Sequence, residues 1–550
     1  MKFLQSISLL FFFTGTAHSE QAVQAEGLDR VQLKGTVTDA NTGRPLAFRL
    51  YIQSEDGTFH HARSSSAEGT AVEYHVTRLT SKEIHTTLSA HPFQTALSRG
   101  QYTLTILRGK EYIPFRTKVE LKENPVELNI KLRRWIDMAA TGWFSGETHV
   151  HRRISELSNV MLAEDLNVAF PLTYWVTDSR ESPARTNHNR EIIPPAELVQ
   201  LDPTHVYWPI NTEYEIFSID GRRHTLGAIF FLNHRTAIDA TAPPISQAVT
   251  IARKEHALLE LDKHNWPWSM MLIPVAEVDL YELTNNHIWR DSFLFKNWYP
   301  EYVADWMNIE LDNNGHFTER GWIDFGLQTY YMLLNCGYQL RPTAGTASGV
   351  HPVPLGFGRV YVQVDSPFQY DRWVEGLNQG RSFVTTGPML TVEFNGQHPG
   401  HLFQSKHESS LTVQITGEAK SLAPLDTIEI VVNGRVAKTI IPQNAALPAG
   451  GFQTSLNDNL LVKQSSWIAV RCFLQNEEGR PRFAHTGPVH IEVPNRPLRP
   501  RSEEVDYLIS RLQREIDRHR GVLFDEAMAE FEQAIKAFQV LDRAVTCPGE

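Results

Sequence analysis

GWFSGETHVHRR, Gly142 to Arg153, is the stretch on which the reading of this chain turns. An apolar run, Ile136 to Phe144, leads into two histidines two residues apart, His149 and His151. On a strand, side chains two apart project from one face. Two imidazoles on one face at a strand's C-terminal end are half of a metal site. The pair alone is weak: with 23 His in 550 residues, chance supplies a His-x-His about once. The surroundings decide what it means.

Outward from this stretch, from 139 to 390, apolar strand-like runs alternate with helix-like ones. VAFPLTYW, LGAIFFL and SMMLIPV read as strands, and Pro244 to His264 reads as helical. Such alternation predicts an α/β domain with parallel strands. Histidines and carboxylates gather where the strand-like runs end, which is where α/β barrels place their chemistry. NTEYE offers Glu213. GRRHTLGAIFFLNH offers His224 and His234. LLELDKHNWPW offers Asp262 and His264, DLYELTNNHIWR offers Glu282 and His287, and TAGTASGVHPVP offers His351. Imidazole and carboxylate together suit Zn²⁺, Mn²⁺ or Fe²⁺. A lone histidine is more often a cap or a satisfied core group; recurrence at successive strand ends favours a site.

The flanks are β-rich. In 28–134, VQLKGTVTDANTGRPLAFRLYI alternates apolar and polar residues around an Asn-Thr-Gly-Arg-Pro turn, which predicts a small β-sandwich. In 391–493, TIEIVVNGRVAKTII carries an Asn-Gly hairpin signal and predicts a second sandwich. PNRPLRP, 494–500, reads as a linker. Val505, Leu508, Leu512 and Ile516, then Ala527, Phe531, Ile535 and Phe538, recur at helical spacing and predict a helical hairpin over 501–545.

Met1 to Ser19 has a basic start, an apolar core and an Ala-His-Ser cleavage pattern, so a signal peptide over 1–19 and export, periplasmic or extracellular, are expected. No stretch is long and apolar enough for a membrane span. Three cysteines, Cys336, Cys472 and Cys547, make no disulfide framework. A net charge of −11 argues against a nucleic-acid partner. A G-x-S-x-G elbow, a P-loop and a dinucleotide fingerprint are all missing.

SGETHVH, the Glu-Tyr of NTEYE followed by His224, ELTNNHIWR, YYMLLNCGYQLRPTAGTASG and GRSFVTTGPML together resemble the PHP-type metallohydrolases, and within them the carbaryl-hydrolase-like CehA/McbA branch. GTVTDANTGRPL and RGQYTLTI resemble the carboxypeptidase regulatory-like sandwich, which implies a structural or adhesive module. The first resemblance implies a distorted (β/α)7 barrel, flanked by the two β-sandwiches and the helical hairpin, with a metal centre at the strand C-termini. It implies His149, His151, Glu213, His224, His264, His287 and His351 as candidate ligands for one or two divalent ions. Two departures stand against a three-metal set. Asp178 is followed by Ser179 rather than His, and Ala347 and Ser348 stand where an acid is usual.

A divalent ion lowers the pKa of a bound water toward 7 and so supplies hydroxide at neutral pH. Asp178, Asp262 and Glu282 are the candidate catalytic proton shuttles. His188 and Arg359 are weaker substrate-binding candidates, each as readily a surface group. The expected function is an exported metal-dependent hydrolase of an ester, amide or carbamate bond in a small-molecule or carbohydrate-like substrate. A PHP-type phosphoesterase is the second reading. A non-catalytic binding protein on a degenerate scaffold is the third, with Ala347 as its best argument.

Overall fold

A computed structural model of the chain describes residues 30–365, 367–405 and 410–546. The expected signal peptide and Cys547 fall outside the described residues. The protein is a multidomain, sheet-rich α/β molecule.

Residues 30–132 form two facing sheets. One contains Arg30–Asp39, Phe93–Ser98 and Val126–Leu132; the other contains Phe48–Ser54, Ala71–Arg78, Ser81–Leu88 and Gly100–Leu107. Alternating apolar residues, among them Leu33, Phe48, Leu50, Phe93, Leu104 and Ile106, fill the space between them. Asp39 tightens the first turn, its Oδ1 accepting the N–H groups of Asn41 and Thr42 at 2.9 and 2.7 Å.

The central region begins with β1 (Trp143–Val150), α1 (Ile154–Glu164), β2 (Val168–Pro171) and β3 (Tyr174–Asp178). It continues with β4 (Val206–Tyr207), β5 (Thr212–Ile219), β6 (Arg222–Leu232), α2 (Ser246–Lys254) and β7 (Leu258–Leu261). Then come α3 (Ser269–Val275), β8 (Leu280–Thr284), α4 (Glu319–Asn335), β9 (Arg341–Ser348) and β10 (Arg359–Gln363). β1 pairs in parallel with β2, β2 with β4, and β3 with β5. β5 pairs with β6 and β6 with β7, both antiparallel. β7, β8 and β9 then run parallel, and β9 pairs in parallel with β1. The ladder that leaves β1 through β2 therefore returns to it through β9, if β2 with β3, and β4 with β5, are counted as interrupted single courses.

Three expectations need correction. β6 runs against both neighbours. β5 and β6 are joined by Asp220-Gly221, with φ of 49° and 73°. That is a two-residue hairpin turn, and parallel strands need a much longer crossover. SMMLIPV is the buried helix α3, not a strand. The helical run from Pro244 stops at Lys254, because His256 takes a φ of 60° and Leu258–Leu261 enters the sheet.

The C-terminal strands form two facing sheets around Leu390, Val392, Ile415, Ile428 and Val470. Asn433-Gly434, with φ of 49° and 79°, makes the expected hairpin turn. One of these sheets is continuous with the central one: β10 pairs with Ser382–Thr385, which pairs with Pro481–Thr486. Helices α5 (Ser502–His519) and α6 (Asp525–Thr546) lay Leu508, Leu512, Phe531 and Phe538 into the central core, against α3. Among the described residues no helix is long and apolar enough to cross a membrane.

The N-terminal module is bolted to the central region at the end of α1. Asp165 receives Arg108 at 2.6 Å and Arg134 at 2.8 Å, and Glu164 pairs with Arg49. Arg359 is buried at the same place, donating to the Glu164 and Asp165 carbonyls that the helix end leaves free. It is a structural group, which removes it as a substrate-binding candidate.

Candidate metal centre

The end of β1 carries His149 and His151 into a fully buried pocket. The ladder extends one residue past the strand, because the His151 N–H donates to the Ser348 carbonyl at 2.9 Å. That extension keeps the two imidazoles on one side. Their Nε2 atoms lie 3.2 Å apart, and His151 Nε2 is 3.3 Å from Glu213 Oε2. Two nitrogens on one Zn²⁺, each about 2.0–2.1 Å from it at a near-tetrahedral angle, stand about 3.3 Å apart. The spacing is that of ligands to a single ion.

His149 is held from behind. Its Nδ1 is 2.8 Å from Glu282 Oε2, with Asp262 Oδ1 at 3.6 Å, and Phe230 packs on its ring at 4.4 Å between centroids. Glu282 is fixed in turn by the Asn286 N–H at 2.8 Å. A carboxylate on Nδ1 sets the tautomer with its proton there and leaves Nε2 as a lone-pair donor. His149, Asp262 and Glu282 lie close enough to form a second donor group, as do His149, His151 and Glu213. The 2.8 Å contact makes Glu282 an orienting partner of His149, and the first trio is the better ion site.

Buried carboxyl groups crowd this centre. Glu213, Glu215, Glu260 and Glu282 each feel the charge of Asp262, which is ion-paired to Lys263. Burial first, then the neighbouring carboxylates, holds Glu213, Glu260 and Glu282 well above the usual carboxylate range. Burial raises Glu215 to about 8. Burial pushes His149 down to about 3 and His151 well below its usual range, so both are neutral imidazoles. Glu213 Oε2 and Asp262 Oδ1 are buried without a hydrogen-bond partner. Buried carboxylates are paired or metal-bound. This donor set, crowded with negative charge and holding orphaned oxygens, fits a divalent ion.

Of the other expected site residues, Asp262 and Glu282 are at this centre and Asp178 is not. Asp178 accepts the N–H groups of Arg180 and Gly221 and pins the β5–β6 hairpin. It pairs with Ser218, five residues beyond Glu213, or roughly 16 Å along the strand. His224 also rides near that hairpin's tip. It is six residues, about 20 Å, from Phe230 on the same strand, and its Nε2 meets His519 at 2.7 Å. His264 packs on Trp322 and Phe325, and His287 stacks on Phe295 at 3.4 Å; aromatic rings, not carboxylates, surround both. His351 receives Arg78 on Nδ1 at 3.0 Å, which places its proton on Nε2 and makes it a donor rather than a ligand. His234 uses both nitrogens in the core, Nδ1 to the Thr236 carbonyl and Nε2 to the Thr212 hydroxyl. His188 is exposed on a short turn.

Sequence reading missed Glu147, Glu215, Glu260 and Lys263. Glu147 and Glu215 sit two residues from His149 and Glu213, the strand period that singled out the histidine pair. Glu147 is buried, accepts the Thr346 and Gly356 N–H groups, and is raised by burial to about 8. Ala347, where an acid was sought, is buried at a φ of 52° and closes the turn after β9.

No family model matches this chain, and no curated protein matches it. Two solved structures share loose likenesses. One, from Bacteroides vulgatus, is a two-domain protein containing a predicted PHP-like metal-dependent phosphoesterase. It is 10% identical, with 60% of this chain and 90% of that one covered, at a TM-score of 0.27. The other is a Parabacteroides merdae β-glucuronidase, 8% identical, with 82% of this chain and 62% of that one covered, at a TM-score of 0.15. At those scores neither likeness bears on the fold or the chemistry, and the assignment rests on the residues at the centre.

Proposed function

We propose that this protein is a metal-dependent hydrolase whose ion is held by His149, His151 and Glu213. The observation that carries the reading is the buried trio with its 3.2 and 3.3 Å donor spacings, beside carboxylate oxygens of Glu213 and Asp262 that have no hydrogen-bond partner. The reading includes a seven-course barrel of the PHP type, supported by the strand pairings that return to β1. It also includes export, suggested by the apolar N-terminus.

A divalent ion in this position activates water at neutral pH and draws charge from a carbonyl or phosphoryl oxygen. The chain supplies the rest. Glu282 fixes the His149 tautomer. Asp262 and Lys263 form an ion pair beside it. Glu215, two residues from Glu213 on the same face of β5 and raised by burial, is the proposed proton carrier. It therefore takes the shuttle role that Asp178 cannot fill.

The test is hydrolysis by metal-loaded protein across aryl esters, aryl carbamates and aryl phosphates. Turnover of one class, lost on chelation and restored by metal, supports the reading. Metal uptake with no turnover of any class favours the binding-protein alternative.

A further inference from the structure

The N-terminal module does more than dock. Its hairpin of Ala71–Arg78 and Ser81–Leu88 packs on the loop that follows β9. The Tyr74 hydroxyl donates to the His351 carbonyl at 2.5 Å and accepts the Gly349 N–H at 2.8 Å, locking the hairpin to the loop after β9. Four residues on, at the hairpin's end, Arg78 lies over the rings of Trp289 and Phe295 at 5.9 and 5.7 Å. From there one N–H reaches His351 Nδ1 at 3.0 Å.

This guanidinium differs from the other cations nearby. Lys263 is ion-paired with Asp262 and Arg152 with Glu156. Among the described residues no ion pair to Arg78 is formed; burial lowers its pKa and Glu215 is the one carboxyl that acts against that, while the residue keeps an exposed face. The loop it joins lies against the centre: the Ser348 carbonyl accepts the His151 N–H at 2.9 Å, and a Cβ on Gly349 would sit 2.4 Å from the His151 carbonyl oxygen. After burial, Arg78 is a leading cause of the low His351 pKa, and it also acts on His287. His351 also feels His149 and His151. An unpaired, planar five-donor group beside an imidazole N–H is an arrangement for binding an oxyanion.

We propose that Arg78, delivered from the N-terminal module, is an anion-binding residue of the metal centre, and that the substrate carries an oxyanion, phosphoryl or carboxylate, seated between Arg78 and the His149–His151–Glu213 site. This rests on the metal-centre reading above. It makes the regulatory-like module part of the active site rather than a spacer. It also narrows the substrate class to anionic molecules.

The test uses full-length protein, wild type, Arg78→Gln and Arg78→Lys. Each is loaded with Mn²⁺ or Zn²⁺ and titrated with inorganic phosphate and, separately, with benzoate. The expected result is unchanged metal stoichiometry in all three. Arg78→Gln should bind at least one of the two anions about tenfold or more weakly, with partial recovery in Arg78→Lys. The anion that depends on Arg78 identifies the substrate's charged group. If Arg78→Gln binds both anions as wild type does, or if metal-loaded wild type binds neither, the inference is overturned and the metal centre stands. If wild type takes up no metal, the hydrolase reading fails and this inference falls with it.

Discussion

Gly345 on β9 lies directly against His149 on β1, with no room between them. A Cβ on Gly345 would sit 2.2 Å from His149 Cβ and 2.8 Å from the Glu282 carboxyl carbon. Neither neighbour is free to retreat. His149 is wedged against Phe230, and Glu282 is tied to the Asn286 backbone.

Gly345→Ala is therefore expected to push His149 off its ligand position. Overpacking of this kind costs about 1–3 kcal/mol of stability. A folded protein with a lowered thermal midpoint and metal affinity reduced at least about tenfold is the expected outcome. Calorimetric metal titration checks it. Wild-type affinity in this variant would mean that His149 is not a ligand.

Glu282→Gln keeps the size of the side chain but changes the group that fixes the His149 tautomer. Loss of such a partner costs about 10–100-fold in metal affinity. The same titration applies, and a loss of less than about threefold would return Glu282 to a passive role.

His224→Ala and Asp178→Asn separate this centre from the one inferred from sequence alone. Both side chains belong to the β5–β6 hairpin, His224 against His519 and Asp178 against Gly221. Neither substitution is expected to change metal stoichiometry. A loss of metal in either would show that the hairpin tip folds back onto the centre.

How much of this was legible in the sequence follows from local geometry. His149, His151 and Glu213 were found because strand period and strand ends can be read from pattern. The mixed α/β, sheet-rich character was readable for the same reason. His224 misled because it lies only eleven residues after Glu213, while the Asp-Gly turn between β5 and β6 reverses the chain and carries it away. That turn was visible as a hairpin signal and went unused. His264 and His287 misled for a different reason. Packing sets them among Phe295, Trp322 and Phe325, apart from the carboxylates of the trio, with both His264 nitrogens and His287 Nδ1 lacking a hydrogen-bond partner. Arg78 was beyond reach, since its contact with His351 spans 273 residues and two domains.

His234 offers a pH test away from the metal centre. Burial holds it down to about 4, although the Thr236 carbonyl works in the opposite direction. A histidine depressed in the fold lends stability above its unfolded value of about 6.5, and that contribution is lost as pH falls toward the folded value. The raised buried carboxyls shift stability the other way, so the group is best isolated by difference. The stability advantage of wild type over His234→Gln should shrink by up to about 3 kcal/mol between pH 7 and pH 4, read from urea midpoints. A constant advantage would mean that His234 is not depressed.

The central claim is one divalent ion on His149, His151 and Glu213, and metal content measures it most directly. Purified protein, His151→Ala and Glu213→Gln are compared by elemental analysis after equilibration with Zn²⁺, Mn²⁺ or Fe²⁺, with circular dichroism confirming that each is folded. The account predicts about one tightly held ion per wild-type chain and most of it gone from each folded variant. Metal-free wild type, or full occupancy in both variants, would contradict it.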